Sequence, residues 1–389
     1  MPLALTARQL FTPIETVEDA LVLIEDGDIT EITTRRAREI PARAQSLDFP
    51  DAILAPAFID IHIHGGAGHD VMETGTEGLP AVEKLLACHG VASYFPTTVT
   101  APLDRILKSL DVLGAAIEAG AGSHPEGRAR PLGIHLEGPF LSHTRRGVHP
   151  PDDLVAPTVP IFERMWQAAR GQIRIITIAP ELPGALEVIA EATRRGVCVS
   201  LGHSDAELSA AHAGISAGAR HATHTFNAMR PLGHRDPGIL GAVLDDDRIS
   251  ADIIADGIHL DPLIVDLFLR AKGPERAVLI TDAIAATGMP DGKYWLGSLE
   301  VDVAQGQCLS GGKLAGSVLT LDRAVRNVMK FAHWNLQQAV QLATWNPARV
   351  VQQHDRRGML APGKAADLVV LSPGGEVRAT IVNGRMPAA

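Results

Sequence analysis

Residues 58–66 read FIDIHIHGG, an apolar strand that carries His62 and His64 and then breaks at Gly65-Gly66. Side chains two apart on a strand share a face, roughly 6.5–7 Å apart along it. Both imidazoles therefore point the same way and can converge on one ion. An isolated HxH is short, and two hydrogen-bonded core histidines explain it as well. The glycine pair tilts the reading, because it lets the backbone turn sharply just past the histidines.

Outward from this stretch the chain alternates. Apolar runs of strand length lie at 53–63, 93–99, 130–137, 173–179, 197–202, 221–226, 249–255 and 277–281. Helical patterns separate them, such as 79–90, 103–120 and 185–196, the last closing at Gly196. About eight strand–helix units over roughly 300 residues predict an α/β fold, a (β/α)8 TIM barrel. A doubly wound open sheet is the alternative, and no GxGxxG or GxxxxGK[ST] supports it. Residues 1–54 read as short strands with a hairpin signal at Asp26-Gly27. The segment 351–389 is similar, with LVVL and RATIV runs. The expectation is a barrel over 55–350 and a small β-sandwich domain formed by both chain termini.

Composition narrows the function class. The chain has 389 residues, 46% apolar and 21% charged, with a formal net charge of −10. A nucleic-acid partner leaves a basic footprint, and none is present. No Lys/Arg cluster marks a membrane surface, and no apolar run reaches the length of a span. The start, MPLALTARQLF, lacks the basic-then-apolar pattern of a signal peptide. The three cysteines, Cys88, Cys198 and Cys308, are far apart and odd in number, which reads as a reduced, cytoplasmic protein.

In a barrel the active site lies where the strands end. Strand three ends in His135-Leu136-Glu137, and an unpaired carboxylate closing an apolar strand would be costly. A metal or an arginine would resolve that cost; His135 reads as a supporting or core residue. Strand five ends at His203. In strand six, His221 and His224 are three apart and so on opposite faces. His224 is nearer the strand end and is taken for the barrel mouth, which leaves His221 packed against helices. Strand eight ends in Asp282, placed as general acid/base beside an ion. Singly each signal is weak. Jointly they set His62, His64, Glu137, His203, His224 and Asp282 at one face. Such nitrogen and oxygen donors suit a divalent ion, zinc foremost, with iron, cobalt or manganese as alternatives.

These residues resemble the amidohydrolase superfamily and, within it, the N-acetylglucosamine-6-phosphate deacetylases. The likeness spans nearly the whole chain, through PAFIDIHIHG, HLEGPF, GHSDA, THTFNAM, HRDPG, IIADGIH, TDA, ATWNPA and GKAADLVVL. It implies that Glu137, His203 and His224 bind the principal metal, and that His62 and His64 form a second site with Glu137 bridging. It implies that Asp282 moves a proton from the attacking water to the leaving amine. It implies that His149, beside Val148, polarises the acetyl carbonyl. Asn227 and Ala228 would meet a phosphate, Ala228 through its backbone, and Arg235 would reach that phosphate from the neighbouring subunit of a homodimer. Asp256, Gly257, Ile258 and His259 would line a sugar pocket, and Leu314, Ala315 and Gly316 would close over it. The expected partner is a phosphorylated amino sugar. From the residues alone, Arg235 and His149 read as ordinary loop residues, and His69, Asp70, Arg145 and Arg146 have no assigned role.

The sequence leaves three rival readings open. One is the galacto epimer, N-acetylgalactosamine-6-phosphate. Another is a different amide on the same barrel, against which Asn227 and Arg235 argue. The third is a non-catalytic scaffold, whose mark would be lost ligands; all six metal-site residues are present.

Overall fold

The computed structural model describes residues 2–12, 14–73, 75–120 and 127–386. Eight strands run parallel in chain order: Phe58–Ile63, Val91–Thr98, Ile134–Glu137, Ile173–Ile178, Cys198–Leu201, His221–Ala222, Ser250–Ile254 and Ala277–Ile280. Helices cover the outer face of such strands and side chains of the barrel interior fill the inner one, so they read as nearly continuous apolar runs. IRIITI at 173–178 is an example, with Ile173, Ile175, Ile176 and Ile178 fully buried. The eighth strand returns to the first: Asp282 N donates to His62 O at 2.9 Å, and Ile63 bridges Ala283. This is the expected barrel. Each strand is followed by a helix, Gly75–Cys88 after the first and Leu321–Ala332 after the eighth. Gly196 lies just past the helix Ala185–Arg194 with φ 76°, where a left-handed residue ends it.

Two expected strands differ in detail. The run 53–63 is divided at Ala57. Residues up to Pro56 finish the strand Gln45–Pro56, which pairs with Leu3–Phe11 and Leu368–Leu371, and Phe58 opens the barrel. The run 221–226 pairs only over His221–Ala222, because His224 and Phe226 adopt positive φ.

The termini meet in one sheet, separate from the barrel, of six strands in the order Val377–Ile381, Leu368–Leu371, Gln45–Pro56, Leu3–Phe11, Thr16–Glu25, Asp28–Thr34. The expected terminal unit thus takes the form of a single hydrogen-bonded path with its own core, in which Leu5, Leu10, Val22, Leu54 and Val370 are buried. A second addition was not read from the sequence. Four short antiparallel strands, Gly292–Leu296, Leu299–Ala304, Gln307–Ser310 and Lys313–Leu314, lie between barrel strand eight and its helix. Its signals are the alternation LEVDVA and the Gln305-Gly306 turn, both residues at positive φ as a tight hairpin needs.

A buried ionic cluster joins barrel to terminal sheet. Arg130 Nη2 is 3.1 Å from both carboxylate oxygens of Asp367, and Arg357 Nε is 3.1 Å from Oδ2. Asp367→Ala leaves two largely buried guanidinium groups without that carboxylate, so unfolding should become easier by about 3–5 kcal/mol. Denaturant titration checks this. A change within about 0.5 kcal/mol, the range of ordinary surface substitutions, would show that the junction is held otherwise.

Candidate active site

Five strand ends meet around Glu137. Its Oε1 is 3.2 Å from His203 Nε2 and 3.0 Å from His224 Nε2. Its Oε2 is 3.6 Å from His62 Nε2 and 3.4 Å from His64 Nε2. The carboxylate thus lies between two imidazole pairs, and within each pair the facing ring nitrogens are 3.1 Å apart. Asp282 Oδ1 completes one side, 3.0 Å from His64 Nε2 and 3.4 Å from His62 Nε2. All six side chains are buried.

The local backbone explains how they meet. His203, His224 and Asp282 have φ of 47°, 30° and 52°, so each strand bends away at its end while the side chain stays over the barrel mouth. Hydrogen bonds then fix the rings. His64 Nδ1 is 3.0 Å from Thr97 O, and His203 Nδ1 is 3.0 Å from Arg145 O. A carbonyl only accepts, so both Nδ1 atoms donate, and each Nε2 keeps its lone pair for the centre when the ring is neutral. Asp252 accepts from His224 N, and Asp60 accepts from Thr281 Oγ1 at 2.6 Å and His62 N at 3.3 Å.

The donor set fits a metal. Two ring nitrogens facing each other at 3.1 Å need a proton or a cation between them. Neutral imidazoles beside a shared carboxylate are what a divalent ion takes. Glu137, His203 and His224 could hold one ion, and His62, His64 and Glu137 a second beside it.

Without the ion the cluster retains protons instead. Burial works against a charge on His64, but hydrogen bonds to Asp282 and Glu137 prevail and raise it to about 10. The same opposition, with Glu137 as the partner, raises His224 to about 9. Burial pushes the Asp282 carboxyl up, while His62 and His64 bring it down to about 2. An ion must displace protons held below those raised values. Metal affinity is therefore expected to rise with pH up to about 9, by about tenfold per pH unit for each proton displaced. Calorimetry in buffers of different ionisation heat checks it; metal uptake without proton release would contradict it.

His149 sits at the edge of the cluster with different chemistry. Thr100 N donates to its Nδ1 at 3.2 Å, so the ring proton is on Nε2, which lies 3.7 Å from Glu137 Oε2. Burial first, then the neighbouring His203, lower this imidazole to about 3. It is a neutral ring with an N–H aimed at the centre. Above the centre is a cavity of about 200 Å³.

Residues 53–386 match the family described as Amidohydrolase family. The chain belongs to the amidohydrolase family. The N-acetylglucosamine-6-phosphate deacetylase of Bacillus subtilis is 36% identical over 378 residues, 97% of this chain and 95% of that protein. The N-acetylgalactosamine-6-phosphate deacetylase of Escherichia coli O157:H7 is 37% identical over 384 residues, 98% of each. Among solved structures, N-acetyl-D-glucosamine-6-phosphate deacetylase from Mycobacterium smegmatis superposes with a TM-score of 0.91 at 34% identity, over 99% of this chain and 100% of that one.

The amidohydrolase cavity collects part of the expected pocket and omits the rest. Val148, Asn227, Ala228, His259, Leu314 and Gly316 line it. Asp256, Gly257, Ile258 and Ala315 do not. Asp256 instead supports His259, with Oδ2 2.7 Å from its Nδ1. Arg235 is exposed and outside the cavity of its own chain. Among the described residues no lysine or arginine lines that cavity. His135 spans the barrel, 2.9 Å from Ile61 O and 2.8 Å from Thr177 Oγ1, in keeping with its supporting or core reading. His221 corrects the expectation that it packs against helices: its Nε2 is 2.8 Å from Asp252 Oδ2 on the next strand. The strand stops at residue 222, so a two-residue period could not be carried to position 224. Arg145 pairs with Asp205 at 2.7 Å and holds His203 through its carbonyl; Arg146 Nη1 donates to His143 O at 3.2 Å. Val99, Ile254 and Leu296 line the cavity and were not foreseen, because apolar residues carry no chemical signature in a sequence.

Proposed function

We propose that this chain hydrolyses the acetamide of N-acetylglucosamine-6-phosphate, giving glucosamine-6-phosphate and acetate. The observation that carries the reading is Glu137 set between two histidine pairs, with an ionised Asp282 and a neutral His149 at the same centre. Metal-dependent amide hydrolysis is the chemistry such a centre performs, and the chain's amidohydrolase membership supports it. A bound divalent ion, zinc in this reading, polarises a carbonyl oxygen and acidifies a water. Asp282, held low by His62 and His64, takes the proton of the attacking water and returns it to the amine nitrogen as the C–N bond breaks. His149 donates its Nε2–H to the acyl oxygen as negative charge develops there.

Asn227, Ala228 and His259 receive the phosphosugar. Its phosphate needs a cation, and the described lining supplies none. Arg235, exposed on the Gly/Pro loop GHRDPG, supplies it to a second copy of the chain in a homodimer. The reaction is placed in the cytoplasm, a setting that suits three free cysteines. No described helix is long and apolar enough to cross a membrane.

Acetate release from N-acetylglucosamine-6-phosphate, compared with N-acetylglucosamine, tests the reading. Strong preference for the phosphate ester supports it; activity on neither, with metal bound, overturns it. The galacto epimer is the competing substrate, given the E. coli relative, and the two kcat/KM values decide between them. Arg235→Ala is expected to raise KM for the phosphate ester by about 10–100-fold, the worth of a charge-assisted hydrogen bond. An equal change for the unphosphorylated sugar would remove Arg235 from the phosphate.

A further inference from the structure

Strand two and the loop after it carry both sides of one wall of the cavity. Thr97 O accepts from His64 Nδ1 at 3.0 Å, and Thr100 N donates to His149 Nδ1 at 3.2 Å. Val99, between them, is 4% exposed and faces the cavity. Leu296, from the inserted four-stranded sheet, is 3% exposed and faces it too. The next residue, Gly297, packs on Val99 so closely that a Cβ there would stand 2.7 Å from Val99 Cγ2.

Both wall residues are anchored by the short loop after strand one. Asp70 Oδ2 accepts from Gly297 N at 2.7 Å, and Oδ1 accepts from Met72 N at 2.7 Å. Val99 N donates to Met72 Sδ at 3.1 Å. Asp70 is buried, so its two bonds are hard to replace with water. The wall is therefore a fixed stop rather than a soft surface.

We infer that Val99 and Leu296, held by Asp70, set the size of the acyl group this enzyme removes. The inference rests on the deacetylase reading and adds which N-acyl groups it accepts. An amide carbon sends its oxygen, its nitrogen and its acyl chain in three diverging directions in one plane. The oxygen is taken by His149, and the nitrogen carries the sugar towards Asn227 and His259. The acyl chain takes the remaining direction, along the strand-two side, and meets Val99 and Leu296. A methyl group fits against that stop, and a longer chain collides with it.

The test compares N-acetyl-, N-propanoyl- and N-butanoylglucosamine-6-phosphate as substrates for the wild-type chain, Leu296→Ala and Val99→Ala, all metal-loaded. The wild type should favour acetyl over butanoyl. Each variant should cut that kcat/KM ratio by about tenfold or more, since one methylene in an apolar pocket changes discrimination by at least that order. If one variant does not fold, the other carries the test, because the two residues come from different elements. Acetate release that persists with an unchanged ratio overturns the wall and leaves the deacetylase standing. A wild-type chain that releases no acetate overturns the deacetylase reading and the wall together.

Discussion

Asp282→Asn should keep its metal and lose turnover by about two to four orders of magnitude, the worth of a lost general acid/base. The substitution preserves shape and hydrogen-bonding reach, and it removes only the ability to accept and return a proton. Asp282 can take up a proton because His62 and His64 bring its carboxyl down to about 2, so it stands ionised at any pH well above that value. Its Oδ1 already sits 3.0 Å from His64 Nε2, at the rim of the cluster. The measurement is single-turnover acetate release at saturating substrate, with metal content determined on the same sample. Near-normal turnover with metal bound would assign the proton to another group. Loss of metal together with activity would make Asp282 a ligand first.

Glu137→Gln carries the second large effect. Each oxygen of Glu137 faces a different histidine pair, at 3.0 and 3.2 Å on one side and 3.4 and 3.6 Å on the other. A neutral amide presents one acceptor oxygen and one donor NH2, so one pair necessarily meets hydrogens. Replacing a group that merely supports a ligand costs roughly 10–100-fold in affinity or activity, and a shared ligand should cost more. Metal per chain and turnover should fall together. A variant that binds metal as tightly as the wild type would place the ion away from Glu137 altogether.

What could be read in the sequence follows from how far local pattern controls structure. Eight strands were legible because burial on both faces demands unbroken apolar runs, such as IRIITI. Their limits were less so. The run 53–63 serves two sheets, and only tertiary pairing divides it at Ala57. The polar centre was legible because His62, His64, Glu137, His203, His224 and Asp282 stand out against apolar strands. His221 stands out equally and was misplaced, since its pairing with Asp252 depends on a neighbouring strand. The inserted sheet was missed because its strands are short and mostly half-exposed, and with it Leu296.

The positive φ at His203, His224 and Asp282 has a consequence for how this chain can change over time. A non-glycine residue in that region costs on the order of 1–3 kcal/mol, least for asparagine, aspartate and histidine, while glycine adopts it freely. At three places where the centre needs imidazole or carboxylate, the backbone alone would favour glycine. Selection for robustness alone would erode these positions, and only selection for turnover keeps them. A descendant released from its reaction has an easy downhill route: it loses ligands and becomes sturdier by the same substitutions.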